Sequence, residues 1–362
     1  MFIGSRIGCS IALFRHAILS DNLCMCAAEW TTAEMNDDVQ ASILARAADR
    51  FGVAVSQLSP LTGGNFAQVC EWARDGGQGC VLKIAPVQGD DDLQSQRAML
   101  AWLNFLAAHD APVVRPVSSP QGNLIEPVEH EGRTYLVSAS EKISGLRAEM
   151  LPPSQWDADL IQVLGRAIGR CHAVAQMYAP PDASLRRPDW RQGASCFNPL
   201  DDLASAESFV LNRRAQVLKL IDALPRDHES YGLAHLDIHF ANFIVDTEHG
   251  GVVLIDFDDC AYGWYAMDVA MLVFDVKVVY TGQTDAMPVS QFLEFLLKGY
   301  RAEKDFPAFW AAQLPAFLKL LEIGLYAMLA PDYDPLTCQD GWVSKFMLGR
   351  EHRIREGIPY LD

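Results

Sequence analysis

Two short apolar stretches carry side chains whose types and spacing could do chemistry. The first reads His235-Leu-Asp237-Ile-His239-Phe-Ala-Asn242, and the second, 14 residues after Asn242, centres on Asp256 in Ile255-Asp256-Phe257-Asp258-Asp259. Asp237, Asn242 and Asp256 offer hard oxygen donors. Such donors suit Mg2+, which takes carboxylate and amide oxygens and completes its shell with water and phosphate oxygens. A carboxylate buried without a partner is costly, so a cation among these groups is the cheaper arrangement. His-x-Asp-x-x-x-x-Asn followed by Ile-Asp-Phe is also the spacing of a catalytic loop and a metal-binding aspartate in phosphoryl transfer.

The elements around these residues must bring them together. Asp246-Thr-Glu-His-Gly-Gly251 is a polar turn between the apolar runs Phe243–Val245 and Val252–Ile255, which predicts a hairpin. A hairpin returns the chain on itself, so Asp237 and Asn242, just before it, can meet Asp256, just after it. Asp258 and Asp259 have two open readings: contacts to a cationic substrate, or caps of the next turn. His239 is equally open as a substrate contact. His172, in Gly169-Arg-Cys-His172, reads as a packed helix residue rather than a base.

The N-terminal half offers a second set of candidates. Leu61-Thr-Gly63-Gly64-Asn65-Phe66 is a glycine-rich bend, and two strands around Asp75-Gly-Gly-Gln-Gly79 follow it. Glycines at 63 and 64 permit a close backbone approach to a ligand, though a plain hairpin turn is also consistent with them. Lys83 sits within the apolar run Cys80–Ala85, where a lysine faces either solvent or a buried anion. A helix is predicted over 93–108, ended by Pro112 and Pro116, and two strands over 123–128 and 134–143. The order β-β-β-α-β-β implies an antiparallel sheet with one helix on it. Helices are predicted over 153–178 and 204–223, and a closing helix over 342–362.

Composition narrows the function classes. The chain has 362 residues, 50% of them hydrophobic, with a formal net charge of −17. That length suits two lobes, and so acidic a balance argues against general binding to nucleic acid or an anionic membrane. The nine cysteines are scattered, with no C-x-x-C pair, as expected for free thiols in a reducing, cytoplasmic setting. The apolar run Ile7–Phe14 is too short to span a bilayer, and a weak signal peptide is the alternative reading. The preferred expectation starts the protein at Met35, where Asn36-Asp37-Asp38 opens into a helical pattern, with residues 1–35 as an extension outside the fold.

Together these blocks resemble the aminoglycoside phosphotransferase and choline kinase-like superfamily from about residue 36 to the C-terminus. The resemblance rests on Gly63-Gly64-Asn65, Val81-Leu-Lys83, His235-x-Asp237-x-His239-x-x-Asn242, Ile255-Asp256-Phe257-Asp258-Asp259 and Gly263-x-x-x-x-Asp268. The last two blocks also resemble the stress-response kinase A branch. The resemblance implies a bilobal, protein-kinase-like α+β fold: a small antiparallel-sheet lobe over 36–143 with one main helix, and a larger, mostly helical lobe over 144–362. It implies ATP and Mg2+ as cofactors. Lys83 would contact the α/β-phosphates, Gly63, Gly64 and Asn65 would cover them, and adenine would lie against Ser138–Ile143, where Ser138 and Glu141 are the candidate contacts. Asp237 would orient the acceptor hydroxyl and take its proton, Asn242 and Asp256 would bind the metal, and His235 and Asp268 would brace the loop.

One position departs from the pattern. Kinase-like folds pair the strand lysine with a helix glutamate, and here that place falls on Met99; no acid occurs between Leu93 and His109. Gln96, one turn earlier, can hydrogen-bond Lys83 but not neutralise it, and Asp90, Asp91 and Asp92 lie upstream. The leading expectation is an ATP- and Mg2+-dependent kinase of a small-molecule hydroxyl, aminoglycoside-, choline- or homoserine-like, with a cationic acceptor favoured by the acidic balance. The alternatives are a Ser/Thr protein kinase of the stress-response type and a nucleotide-binding pseudokinase.

Overall fold

The structure is a computed structural model that describes residues 37–361 apart from 62–66, 75, 88, 90–91, 194, 247–249, 281–286 and 339–340. The expected extension, together with Gly63, Gly64, Asn65, Asp90 and Asp91, lies outside the described residues. The described chain divides into two compact units. One runs up to Ser144 and adds Tyr178–Arg187; the other comprises Gly145–Met177 and Pro188–Asp362.

The first unit is built on an antiparallel sheet. Its strands are β1 (Ser59–Pro60), β2 (Gln68–Ala73), β3 (Gly79–Pro86), β4 (Pro116–Val117), β5 (Ile125–His130) and β6 (Arg133–Glu141), and its helices are α1 (Asp37–Arg50) and α2 (Asp92–Ala108). The order is β1-β2-β3-β6, with β4 and β5 both pairing along β6. Alternation along β3 buries Cys80, Leu82 and Ile84 in a core with Ile43 and Ala47 of α1 and with Phe51 just after it. Helix α1 ends at Gly52, whose φ of +66° and the Val53 N–H to Ala48 carbonyl bond make a left-handed stop. The strand–helix order is the expected one, with the two-residue β4 added at Pro116, where the sequence predicts only the end of a helical segment.

The second unit is mostly helical. It contains α3 (Ala158–Ala175), α4 (Leu200–Ala204), α5 (Ser208–Asp222), α6 (Tyr265–Tyr280), α7 (Val289–Tyr300), α8 (Ala308–Leu329), α9 (Gly341–Met347) and α10 (Arg350–Glu356). Helix α3 starts later than its sequence pattern because Asp157 caps it, accepting the N–H groups of Asp159 and Leu160 at 3.0 and 2.9 Å. Glycines on both helices let it lie against α7 at backbone contact: a Cβ on Gly165 of α3 would strike the Leu296 carbonyl, and one on Gly299 of α7 the Gln162 carbonyl. The helix expected over 204–223 is α5, which starts at Ser208, and the short α4 precedes it. The single closing helix is two, α9 and α10, divided at Gly349 with φ +66°.

Helices α6 and α8 are apolar on nearly every side. Helix α8 alone among the described helices is long and apolar enough to cross a bilayer, and 78% of its most apolar window is buried inside the fold. Its two charges, Lys319 and Glu322, are paired, and Arg350 of α10 reaches the same glutamate at 2.6 Å. The C-terminus is fastened to this core by Tyr360, which stacks on Phe274 at 4.5 Å, and by Lys277, which donates to the Tyr360 carbonyl at 2.7 Å.

Candidate active site

Two nested strand pairs in the second unit hold the candidate residues. The inner pair is the expected hairpin, β9 (Phe243–Asp246) with β10 (Gly251–Leu254), in register Phe243–Leu254 to Asp246–Gly251. The outer pair is β8 (Tyr231–Ala234) with β11 (Ala261–Trp264), in register Ala234–Ala261 to Tyr231–Trp264. The segments 235–242 and 255–260 lie between the two pairs and are stitched together. The Ile255 N–H donates to the Asn242 carbonyl at 3.0 Å, and His235 Nε2 lies 2.9 Å from the Ile255 carbonyl. Because that carbonyl can only accept, the His235 proton sits on Nε2, and Nδ1 accepts the Asp237 N–H at 3.3 Å. A short strand, β7 (Leu146–Arg147), pairs with the outer side of β9.

Asp237 and Asn242 meet directly. The Asn242 amide donates to the Asp237 carboxylate (Oδ2) at 2.8 Å and to its backbone carbonyl at 3.0 Å. Both residues are buried, at 2% and 6% exposure. Because the amide N–H groups are committed to Asp237, the oxygen of Asn242 is its remaining donor atom. Asp256, in the segment tied to Asn242, has φ +60°, in the left-handed region that favours glycine. One carboxylate oxygen of Asp237 and one of Asp256 are buried with no hydrogen bond of their own, although both residues have other interactions.

This donor set is oxygen throughout and fits Mg2+ in its substrate-assisted form, with one or two carboxylates from the protein and the remaining positions filled by phosphate and water. Among the described residues no three His, Cys, Asp or Glu side chains group as an all-protein metal cage.

His239 stands against the same pair. Its Nδ1 accepts the Ala241 N–H at 3.2 Å and so starts the 3-10 turn Phe240–Asn242, while Nε2 is 3.4 Å from Asp237 Oδ2. Burial alone would lower its pKa; the carboxylates of Asp237, Asp275 and Asp256 outweigh that and hold it up at about 9. His239 Nε2 also lies 3.0 Å from the Asn242 amide nitrogen, so the ring bears on both members of the pair. Asp258 and Asp259 form the half-buried turn that leads into β11.

Asp268, on the first turn of α6, is fully buried. Its Oδ1 accepts the Leu236 N–H at 2.6 Å, and its Oδ2 accepts the His235 N–H at 3.0 Å and faces His172 Nε2 at 2.8 Å. His172 Nδ1 in turn lies 2.8 Å from the Tyr300 hydroxyl, and its ring stacks on Tyr265 at 4.5 Å. The packed-residue reading of His172 therefore has a specific content: it backs the carboxylate that holds the loop. No sequence signal within α3 names a partner 96 residues away.

In the first unit, Lys83 is the register partner of Ser138, with Val69 on the other side, so Lys83 and Ser138 share one face of the sheet. The Glu71–Lys142 ion pair lies on that face too. Glu141 pairs with Cys80 and points to the opposite, core-facing side at the strand end. Met99, the position that the sequence aligns with the helix glutamate of kinase-like folds, is buried at 6% exposure in α2.

Known proteins of the same kind match most of the chain. Amicoumacin kinase of Bacillus subtilis (strain 168) is 27% identical over 328 residues, covering 88% of this chain and 92% of its own. Hydroxylysine kinase of Bos taurus is 24% identical over 268 residues, covering 67% of this chain and 69% of its own. Among solved structures, amicoumacin kinase hAmiN in complex with AMP-PNP, Ca2+ and Ami superposes with a TM-score of 0.73 at 25% identity, over 90% of this chain and 97% of that one. The model of the phosphotransferase enzyme family matches residues 57–306, and the chain belongs to that family.

Proposed function

We propose that the protein transfers the γ-phosphoryl group of ATP, with Mg2+, to a hydroxyl group of a small cationic amino alcohol. The observation that carries this reading is the buried Asp237–Asn242 pair, stitched through Ile255 to the segment bearing Asp256. Relatives that phosphorylate amicoumacin and hydroxylysine support a small-molecule acceptor over a protein one.

The residues divide the work. Asp237 Oδ2 is held by Asn242, so Oδ1 is the atom that takes the acceptor's hydroxyl proton as the new O–P bond forms and the bond from the γ-phosphorus to the β–γ bridging oxygen breaks, with ADP leaving. The fixed carboxylate also aims that oxygen in line with the phosphorus, which is the larger part of catalysis in a reaction with little covalent work for the protein. The Asn242 oxygen and the Asp256 carboxylate would hold Mg2+. Held there, the ion would offset the negative charge of the phosphate oxygens. His235 and Asp268 fix the loop's backbone, and His239 keeps Asp237 Oδ2 oriented. Lys83 would contact the α/β-phosphates from its sheet face, with Gly63, Gly64 and Asn65 over them and Ser138 near the adenine; the side chain of Glu141, on the opposite face, falls out of that set. Asp258 and Asp259 would attract the acceptor's ammonium group.

Thermal unfolding with and without ATP and Mg2+, followed by transfer to a panel of hydroxylysine, choline, homoserine, an aminoglycoside and a serine peptide, tests the reading. Stabilisation by Mg-ATP and phosphorylation of an amino alcohol are expected. Stabilisation without transfer would favour the nucleotide-binding module, and transfer only to the peptide would favour the protein kinase.

A further inference from the structure

Helix α6 carries a second buried carboxylate that none of these roles uses. Asp275 follows Asp268 by two helical turns, so the two side chains leave one face of the helix. Asp268 takes the N–H groups of His235 and Leu236, where the loop begins. Asp275 Oδ2 accepts the N–H of Phe240 at 2.9 Å, on the first residue of the turn that ends in Asn242. That N–H has no partner within its own turn, as at the start of any helix. Asp275 is 6% exposed, and no lysine or arginine forms an ion pair with it among the described residues. The charges that act on it include His239 and Asp237 on the loop and Glu149 from the segment after β7. A carboxylate in such surroundings is costly unless it satisfies something specific.

We propose that Asp275 is a positioning residue for phosphoryl transfer: with Asp268 it fastens both ends of the 235–242 loop to one face of α6 and so sets the place of Asn242. This rests on the catalytic reading of that loop.

Two variants separate the acceptor from the charge. Asp275→Ala removes the acceptor, whereas Asp275→Asn keeps an oxygen that can accept the Phe240 N–H. Turnover is read as ADP release from Mg-ATP with hydroxylysine present. Asp275→Ala is expected to lower kcat about tenfold or more with little change in the KM for ATP, and Asp275→Asn to recover to within about threefold of wild type. Amide exchange of Phe240 is expected to be slow in the wild type and in Asp275→Asn, and fast in Asp275→Ala. Wild-type kcat in Asp275→Ala, equal impairment of both variants, or a freely exchanging Phe240 amide in the wild type would overturn the proposal. If Asp275→Ala does not fold, the wild-type exchange rate and the Asp275→Asn kcat decide it. An Asp237→Asn variant run beside them distinguishes the two failures: undiminished turnover there defeats the catalytic reading itself, while Phe240 exchange still reports on the attachment.

Discussion

Asp268 Oδ1 accepts the backbone N–H of Leu236 at 2.6 Å, and Leu236 stands at φ +64°, a conformation that L residues with branched side chains rarely adopt. The residue before Asp237 is thus held in a strained state by a buried carboxylate 32 residues further along the chain. Strain of this kind persists where surrounding contacts over-determine it, and here it aims Asp237.

Asp268→Ala leaves the N–H groups of His235 and Leu236 buried without their acceptor. Leaving buried donors unsatisfied costs about 1–3 kcal/mol each, so a loss of about 3 kcal/mol in urea unfolding is expected. A fall in kcat of about 100-fold should accompany it, because the loop loses its placement. Wild-type kcat in a folded Asp268→Ala protein would refute the bracing role.

His172 gives stability a pH dependence with a definite sign. Burial holds its pKa below the ordinary histidine value, against the opposing pull of Asp268. As pH falls, the unfolded chain therefore takes up this proton before the folded one. The contribution is complete above about pH 6.5 and is lost progressively below it. Unfolding free energies between pH 7 and pH 5 should fall more steeply in the wild type than in His172→Gln, by at most about 1.4 kcal/mol per pH unit. Parallel slopes would contradict this.

Gly165→Ala should destabilise although alanine is the better helix former. Propensity alone would favour the change by about 1 kcal/mol. The new Cβ, however, meets the Leu296 backbone carbonyl, and separating α3 from α7 is expected to cost about 2 kcal/mol or more. A raised midpoint in urea would show that the two helices do not pack at backbone contact.

Met99→Glu tests the alignment of Met99 with the helix glutamate of kinase-like folds. A carboxylate at a position only 6% exposed is tolerated if the lysine answers it. An increase in kcat is expected, and an unchanged or lower kcat would tell against the alignment of Met99 with the glutamate position.

The hairpin and the motif residues on either side of it were legible because their signals are local: a polar turn between apolar runs, and polar side chains at fixed spacing. The β-β-β-α-β-β order was legible for the same reason. The β8–β11 pair was not, since Tyr231–Ala234 finds its partner across the whole catalytic segment. Helices α6 and α8 escaped because burial on all sides erases the 3.6-residue stripe that identifies a surface helix. His172 and Asp275 act through partners 96 and 35 residues away, and nothing in their own neighbourhoods reports those contacts. Two-residue strands such as β4 and β7 are too short for alternation to register.

The most direct test is mass spectrometry of hydroxylysine and the other amino alcohols after incubation with ATP, Mg2+ and the wild-type protein or Asp237→Asn. The account predicts an acceptor heavier by one phosphoryl group with the wild type and no such product with Asp237→Asn. Equal yields from the two proteins, or no phosphorylated amino alcohol from the wild type, would contradict it.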